Sequence, residues 1–129
     1  MPQTENRPDK GETGEDFAIA AAQEMTDLKC DDIIIYDVRG LSPLTNFVII
    51  GSGTSDRQIK AIGGHLNELA RDKFNLERFG TERDENTTWL VLDYIDVMVH
   101  LFEPATRAHY DLEMMWGDAP KINWRQHRG

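Results

Sequence analysis

The sequence has little cysteine and no long hydrophobic run. Cys30 is the single cysteine of the 129 residues, so it cannot form an internal disulfide or complete a CxxC zinc pair. No apolar run reaches the roughly 18 residues that a membrane span requires. The first residues, MPQTENRPDKGETGED, contain neither the cationic start nor the apolar core of a secretory signal. We therefore expect a cytoplasmic protein that does not contact membranes.

Basic side chains are also scarce, and their distribution is uneven. The chain carries 14 lysines and arginines against 23 aspartates and glutamates, for a net charge of −9. Residues 82–118 hold nine acids and two bases, whereas residues 119–129 hold three bases and no acid. An acidic surface repels nucleic-acid phosphate unless positive charge is concentrated locally. The acidic segment suits a basic protein partner or a metal ion, but it also suits a solvated surface that only keeps the protein soluble.

Length and composition predict one folded domain between two short tails. A chain of 129 residues is long enough to bury a substantial core. Residues 1–14 are rich in proline, glycine and charged groups and poor in large apolar side chains, so we expect a flexible tail. We place the folded domain at residues 15–118, and we expect residues 119–129 to form a mobile basic tail.

Apolar periodicity predicts helices and strands in the order α β β α β β β α. Helical spacing marks three segments, TGEDFAIAAAQEMTDLK, TSDRQIKAIGGHLNELARDKF and PATRAHYDLEMMW. The runs DDIIIYDV and NFVIIGSG predict strands, and LERFG predicts a short third strand before the polar connection TERDENT. Ser55 and Gln58 have the spacing of a capping box at the second helix. This mixture indicates an α/β fold in which helices flank a mixed β-sheet of about five strands.

The run WLVLDYIDVMVHLF, residues 89–102, predicts a β-hairpin. In the simplest register the directly opposed pairs are Asp93 with Asp96, Val91 with Met98, and Trp89 with His100. One face of the hairpin is then wholly aliphatic and belongs to the core. The other face carries both aspartates together with aromatic and histidine side chains. That face is either ordinary partly buried surface or a docking site.

The two aspartates also allow a catalytic interpretation. Opposed carboxylates can hold Mg²⁺, and the turn GSGTS could offer backbone N–H groups to a phosphate, so the alternative is a metal-dependent nucleotidyltransferase. However, the turn has neither the glycines of a dinucleotide site nor the GK[ST] of a P-loop, and Asp56 already places a carboxylate at the helix start. The four histidines lack zinc-ligand spacing, and there is no GxSxG nucleophile motif. We expect a protein that is not an enzyme, with no catalytic residue, metal or cofactor.

The last predicted helix has two apolar faces. One stripe consists of Ala105, Ala108, Leu112 and Met115, and the other consists of Tyr110, Met114 and Trp116. Such a helix is either buried on both sides or forms half of a partner site. If it pairs two copies of the chain, the protein is a dimeric adaptor, which is a further alternative.

Several motifs together resemble the ribosomal silencing factor family, also called Iojap-like, over about residues 15–120. The matching segments are Ser42–Thr45, Ser52–Arg57, Trp89, Asp93–Asp96, Val99–His100 and Tyr110–Trp116. Three positions depart from the family pattern: Asn46 stands where an Asp is usual, and Arg83 and Ile95 stand where Gly is usual. Because isoleucine is costly at positive φ, we expect a wider hairpin tip than a tight type I′ turn.

The resemblance implies a translational repressor on a fold distantly similar to that of nucleotidyltransferases. Family members bind the large ribosomal subunit through its L-fourteen protein, block joining of the small subunit and repress translation when nutrients are short. Members can also form homodimers, and the basic tail after Ala119 is a candidate for a minor contact with ribosomal RNA. In this protein acids would pair with basic groups of the partner and aromatic rings would act as anchors. The expected partner-binding residues are Glu82, Trp89, Asp93, Asp96, His100, Tyr110, Glu113 and Trp116.

Overall fold

The computed structural model describes residues 10–83, 88–110 and 116–127. Its elements are α1 (Lys10–Asp27), β1 (Asp31–Asp37), β2 (Phe47–Ser52), α2 (Asp56–Phe74), β3 (Gly80–Arg83), β4 (Trp89–Asp93), β5 (Val97–Phe102), α3 (Pro104–Tyr110) and a closing 3-10 helix (Trp124–His127). The predicted order of helices and strands is confirmed. No helix in these ranges is both long and apolar enough to span a bilayer. Most of the predicted tail, residues 1–9, lies outside the described residues, as do residues 111–115 of the predicted last helix.

The five strands form one mixed sheet in the order β1-β2-β5-β4-β3. β2 and β5 run parallel, and the other three pairs are antiparallel. This confirms the mixed α/β sheet. The third strand, however, begins at Gly80, where the predicted one ends. β3 is an edge strand with three exposed residues, so its sequence, GTER, carries little of the apolar signal that marks a buried strand.

The hairpin of β4 and β5 forms in a register two residues away from the predicted one. The opposed pairs are Trp89 with Phe102, Val91 with His100, and Asp93 with Met98. A shift of two residues keeps every side chain on its predicted face, because side chains alternate with a period of two. The aliphatic face is confirmed as core: its members in the buried cluster are Leu90, Leu92, Val97, Val99 and Leu101.

The hairpin tip is tight, so the expectation of a wider loop is wrong. The Tyr94 N–H donates to the Val97 carbonyl at 2.9 Å, which leaves only Ile95 and Asp96 between the paired residues. Ile95 adopts a φ of 73°, in the left-handed region that a β-branched residue rarely occupies. Asp93 supports this turn by accepting a hydrogen bond from the Ile95 N–H at 2.7 Å.

Helices α1 and α2 cover one face of the sheet, which we call the closed face. Ser55 caps α2 by accepting a hydrogen bond from the Gln58 N–H at 3.1 Å, which confirms the predicted capping residue. The Gln58 amide also donates to the carbonyls of Leu28 and Lys29, tying the start of α2 to the end of α1. Gly63 lets α2 approach β4, because a Cβ there would lie 3.0 Å from Leu90.

The segment after α3 is not a mobile tail over residues 119–127, which corrects the sequence analysis. The Asp37 N–H donates to the Pro120 carbonyl, and the Ile122 N–H donates to the Ile35 carbonyl, so this segment pairs with the outer edge of β1. Trp124 is 3% exposed and belongs to the core cluster of the closed face. The sequence of this segment is dominated by charged and polar residues, but its two large apolar side chains, Ile122 and Trp124, supply buried area.

The N-terminal boundary also differs from the predicted one. α1 begins at Lys10, so residues 10–14, which we expected in the flexible tail, are helical. Gly14 is buried where α1 meets Phe47 of β2 and Asp96 of the hairpin tip. The small residue permits that approach, since a Cβ at this position would lie 3.2 Å from the Cβ of Asp96.

Candidate functional site

The second face of the sheet, which we call the aromatic face, carries ring side chains from β4 and β5. Trp89 stacks on Phe102 with ring centroids 5.2 Å apart, and His100 stacks parallel to Phe102 at 6.1 Å. Trp116 lies over the group, 6.0 Å from His100 and 6.3 Å from Tyr36. The rings lie on one face because strand residues two apart, and directly opposed residues, share a side of the sheet. Three of the predicted partner-binding residues, Trp89, His100 and Trp116, are therefore brought together.

His100 lies beneath this group rather than at its surface. Its side chain is buried, and burial lowers the pKa of the imidazole from 6.5 to about 4, so the ring is neutral at neutral pH. The Trp89 Nε1–H donates to His100 Nδ1 at 3.2 Å, so that nitrogen carries no proton. The histidine thus fixes the orientation of Trp89, whose side chain remains partly exposed.

The two aspartates of the hairpin serve the turn. Asp93 Oδ1 accepts from the Ile95 N–H, as described above. Asp96 Oδ1 accepts from Asn46 Nδ2 at 3.2 Å, and the Asp96 carbonyl accepts from the backbone N–H groups of Asn46 and Phe47. Among the described residues, no three histidine, cysteine, aspartate or glutamate side chains gather in a way that could hold a metal ion.

An apolar groove, the Leu44 groove, opens beside Trp116. Its volume is about 770 Å³, and its lining residues are Leu41, Ser42, Pro43, Leu44, Trp116, Gly117, Asp118 and Ala119. Leu41 is 62% exposed and Leu44 is 76% exposed, which is unusual for large apolar side chains so close together. From the sequence, this segment matters only through Ser42–Thr45, as a match to the family pattern, and no partner site is predicted there. The available signal was the presence of two leucines in a segment that is otherwise typical of a turn.

A second, smaller recess has an acidic rim; we call it the acidic recess. It has a volume of about 260 Å³ and is lined by Phe79, Gly80, Thr81, Glu82, Val91, Asp93 and Met98. Glu82 pairs with Val91, which pairs with His100, so the exposed glutamate lies on the aromatic face at the outer edge of the sheet. Phe79 contributes a ring that is 73% exposed.

Two predicted site residues remain, Tyr110 and Glu113. Tyr110 is the final residue of α3, and Glu113 lies outside the described residues. The position of Asp96 differs from the expectation in another way: it occupies the hairpin tip and does not oppose Asp93 in the ladder.

The other groups considered for chemistry have structural roles. Burial raises the pKa of the Cys30 thiol to about 12, so the sulfur is a thiol and not a nucleophilic thiolate at neutral pH. At the GSGTS turn, Gln58 Oε1 accepts hydrogen bonds from the Thr54 N–H at 2.6 Å and from the Thr54 hydroxyl at 2.9 Å. A backbone donor that a phosphate would use is therefore already engaged.

The chain is similar to proteins of known family. A model of the family described as "Ribosomal silencing factor during starvation" matches residues 11–128. The Ribosomal silencing factor RsfS of Halalkalibacterium halodurans is 33% identical over 102 residues, which is 79% of this chain and 86% of that protein. The protein of the same name from Bacillus subtilis is 34% identical over 78% of this chain and 84% of its own. A crystal structure of a Chromobacterium violaceum protein superposes with a TM-score of 0.73 at 32% identity, covering 80% of this chain and 85% of that one.

Proposed function

Since this chain belongs to the ribosomal silencing factor family, we propose that it represses translation by binding the large ribosomal subunit through the L-fourteen protein. Bound there, it excludes the small subunit sterically, and it acts in the cytoplasm when nutrients are limiting. The proposal needs no catalytic step, no metal and no cofactor. It requires a surface that a ribosomal protein can cover.

The observation that carries the proposal is the Leu44 groove. Leu41 and Leu44 expose most of their side chains on either side of Pro43, next to the partly exposed ring of Trp116. A contiguous apolar patch on a small protein is typical of a surface that a partner covers. Protein interfaces place such apolar anchors at their centre and polar groups at the rim. Asp118 lies in the lining of the groove and supplies a charged group there.

Charge favours a basic partner over RNA for the aromatic face. Glu82 is exposed and Asp93 is partly exposed, and both line the acidic recess. Acidic groups around an apolar centre attract lysine and arginine side chains and repel phosphate, which raises the association rate for a basic protein. Ribosomal proteins must neutralise RNA, so a basic surface is the expected chemistry of such a partner.

Within this surface we assign three kinds of role to the predicted residues. Trp89, Tyr110 and Trp116 are proposed as apolar anchors, with Trp89 held in place by the buried His100. Glu82, Asp93 and Glu113 are proposed to pair with basic groups of the partner. Asp93 and Asp96 also form hydrogen bonds at the tip, with Ile95 and Asn46 respectively, so each is proposed to serve both the turn and the partner.

Sedimentation with purified large subunits tests the proposal directly. The protein should pellet with large subunits and not with small subunits, and it should reduce the light scattering that reports subunit joining. A correctly folded protein that stays in the supernatant would contradict the proposal. Light scattering of the free protein tests whether it forms a homodimer. If it does, and the same surface pairs the two copies, large subunits should compete with self-association.

A further inference from the structure

A recess at the outer edge of β1 brings together two arginines from distant parts of the chain. It has a volume of about 420 Å³, and its lining residues are Asp32, Ile33, Ile34, Arg107 and Arg125. None of these residues lines the Leu44 groove or the acidic recess. We call it the Arg125 recess, and we propose that it binds a phosphate group.

The recess exists because β1 is irregular at its start. The pairing of β1 with β2 shifts register between Asp31 and Ile34, and Asp32 takes a φ of 50° there. Such a bulge lifts the strand out of the regular ladder and bends it. The space that it opens is closed on the far side by α3 and by the 3-10 helix, which supply the two arginines.

The two guanidinium groups of the recess have contacts of their own, Arg107 as a buried side chain and Arg125 as an exposed one. Arg107 is 9% exposed, and its Nη1 donates to the Ser52 hydroxyl at 2.7 Å. The guanidinium of Arg125 lies 4.4 Å from the centre of the Trp124 ring, and that ring is buried. An arginine whose orientation is fixed loses less conformational entropy when its planar fork of N–H groups binds an oxyanion.

The charge around the recess is unlike that of the rest of the molecule. The lining holds two positive side chains against the one carboxylate of Asp32, whereas the whole chain carries a net charge of −9. Arginine recognises phosphate through paired N–H groups, and a doubly charged phosphate gains more from two guanidinium groups than a carboxylate does. Since the acidic protein as a whole repels phosphate, binding must depend on the two arginines of the recess.

Two sources of phosphate fit the recess, an RNA backbone and a small phosphorylated molecule. Both offer oxygens to the two guanidinium groups, but an RNA phosphodiester carries one negative charge and a phosphate monoester carries nearly two. If the phosphate belongs to RNA, the recess would add a nucleic-acid contact beside the protein contact made by the aromatic face. With one phosphate contact on a single strand, the logarithm of affinity should fall with the logarithm of salt concentration with a slope of about −0.7.

Titration of the ¹⁵N-labelled free protein with inorganic phosphate, at ionic strength held constant with chloride, tests the site. We expect saturable shifts of the Arg107 and Arg125 Nε resonances, with acetate binding at least fivefold more weakly. The variant Arg125→Gln should weaken phosphate binding at least tenfold. Lys60→Gln, which removes an exposed charge from α2, should change it less than twofold and is the matched control.

The same titration with a short single-stranded RNA and with a nucleoside monophosphate separates the sources. RNA that binds more tightly than phosphate, and is weakened by Arg125→Gln, assigns the recess to an RNA backbone; tighter binding of the monophosphate assigns it to a small ligand. Either result supports the phosphate site. Shifts that never saturate, or equal losses in Arg125→Gln and Lys60→Gln, would overturn it. Loss of phosphate binding in Arg125→Gln with normal sedimentation on large subunits would leave the proposed function intact.

Discussion

The two faces of the sheet differ in how completely they are covered. The closed face packs mainly aliphatic residues, with Phe17, Phe47, Tyr94 and Trp124 among them, against α1 and α2, and its central side chains are completely buried. The aromatic face buries a smaller group that includes Tyr36, Phe102 and His100, and it is covered only in part, by Trp116 and residues near Ala119. In the described part of the chain, α1 and α2 cover the closed face. The aromatic face retains partly exposed rings and an open groove.

We propose that this difference separates stability from recognition in the molecule. Aliphatic burial stabilises a fold in rough proportion to the area removed from water, and the closed face supplies most of that area. Aromatic rings with one exposed edge provide large contact areas for little loss of conformational entropy, as anchors of interfaces do. We therefore expect substitutions on the two faces to affect different measurements.

The largest loss of stability should come from the closed face. Phe17 is fully buried and packs edge-to-face against Phe74 at 5.4 Å and Tyr94 at 5.0 Å. Phe17→Ala should lower the free energy of unfolding by about 3 to 5 kcal/mol, measured by urea denaturation. Affinity for large subunits, corrected for the folded fraction, should stay unchanged. A folded variant with weakened binding would show that the two roles are not separated.

Acid should destabilise the aromatic face through His100. Its pKa in the folded protein is about 4, below the ordinary value of 6.5, so the unfolded chain takes up the proton first as pH falls. The stability contributed by the neutral histidine is complete above pH 6.5 and is lost progressively between pH 6.5 and 4. The expected loss from this group is about 2 kcal/mol between pH 7 and pH 5.

His100→Gln provides the comparison for that pH effect. Between pH 7 and pH 5, the free energy of unfolding should fall by about 2 kcal/mol less in the variant than in the unchanged protein, because the titrating group is absent. Equal pH dependence in the two proteins would show that other groups cause the acid sensitivity.

The hairpin tip, where the two faces meet, should gain stability from a glycine. Ile95 has a φ of 73° and is 52% exposed, so it is strained and buries little in return. Ile95→Gly should raise the free energy of unfolding by about 1 kcal/mol, because relief of left-handed strain exceeds the entropy lost by glycine. A thermal melt is sufficient to measure it. A less stable Ile95→Gly protein would mean that the exposed side chain makes contacts of its own.

The smallest expected effect comes from Asn46. Its amide donates to the Asp96 carboxylate at 3.2 Å, so Asn46→Asp would place two negative charges together at a partly exposed site. We expect a loss of about 0.5 kcal/mol at pH 7, of the size found for exposed charge pairs. The loss should shrink at high salt concentration, which screens exposed charges. A loss that does not change with salt would indicate a steric cause.

Periodicity in the sequence predicted the elements and their faces but left the register open. Alternation with a period of two assigns Leu90 and Leu92 to the core whether Trp89 pairs with His100 or with Phe102. Periodicity therefore cannot distinguish two registers that differ by two residues. β3 was placed too early because an exposed edge strand has almost no apolar pattern. Residues 119–129 were likewise predicted to be mobile because their charged composition gave no sign that Trp124 is buried.

The candidate site was only partly predictable for a related reason. Trp89, His100 and Trp116 stand out because aromatic and histidine side chains are rare, and the structure brings them together. Leu41 and Leu44 did not stand out, because exposure of an apolar residue depends on packing that no local pattern records. The Arg125 recess depends on two residues far apart in the chain, Arg107 and Arg125, which only the tertiary structure places side by side.

Equilibrium binding of two matched variants to purified large subunits is the most direct test of the recognition role of the Leu44 groove. Leu44→Ser and Lys73→Ser each replace a long exposed side chain with serine, but Leu44 lies in the groove, whereas Lys73 lies on α2, away from the aromatic face. We predict at least a tenfold loss of affinity for Leu44→Ser and less than a twofold loss for Lys73→Ser, with both proteins folded. Unchanged binding of Leu44→Ser would contradict the account.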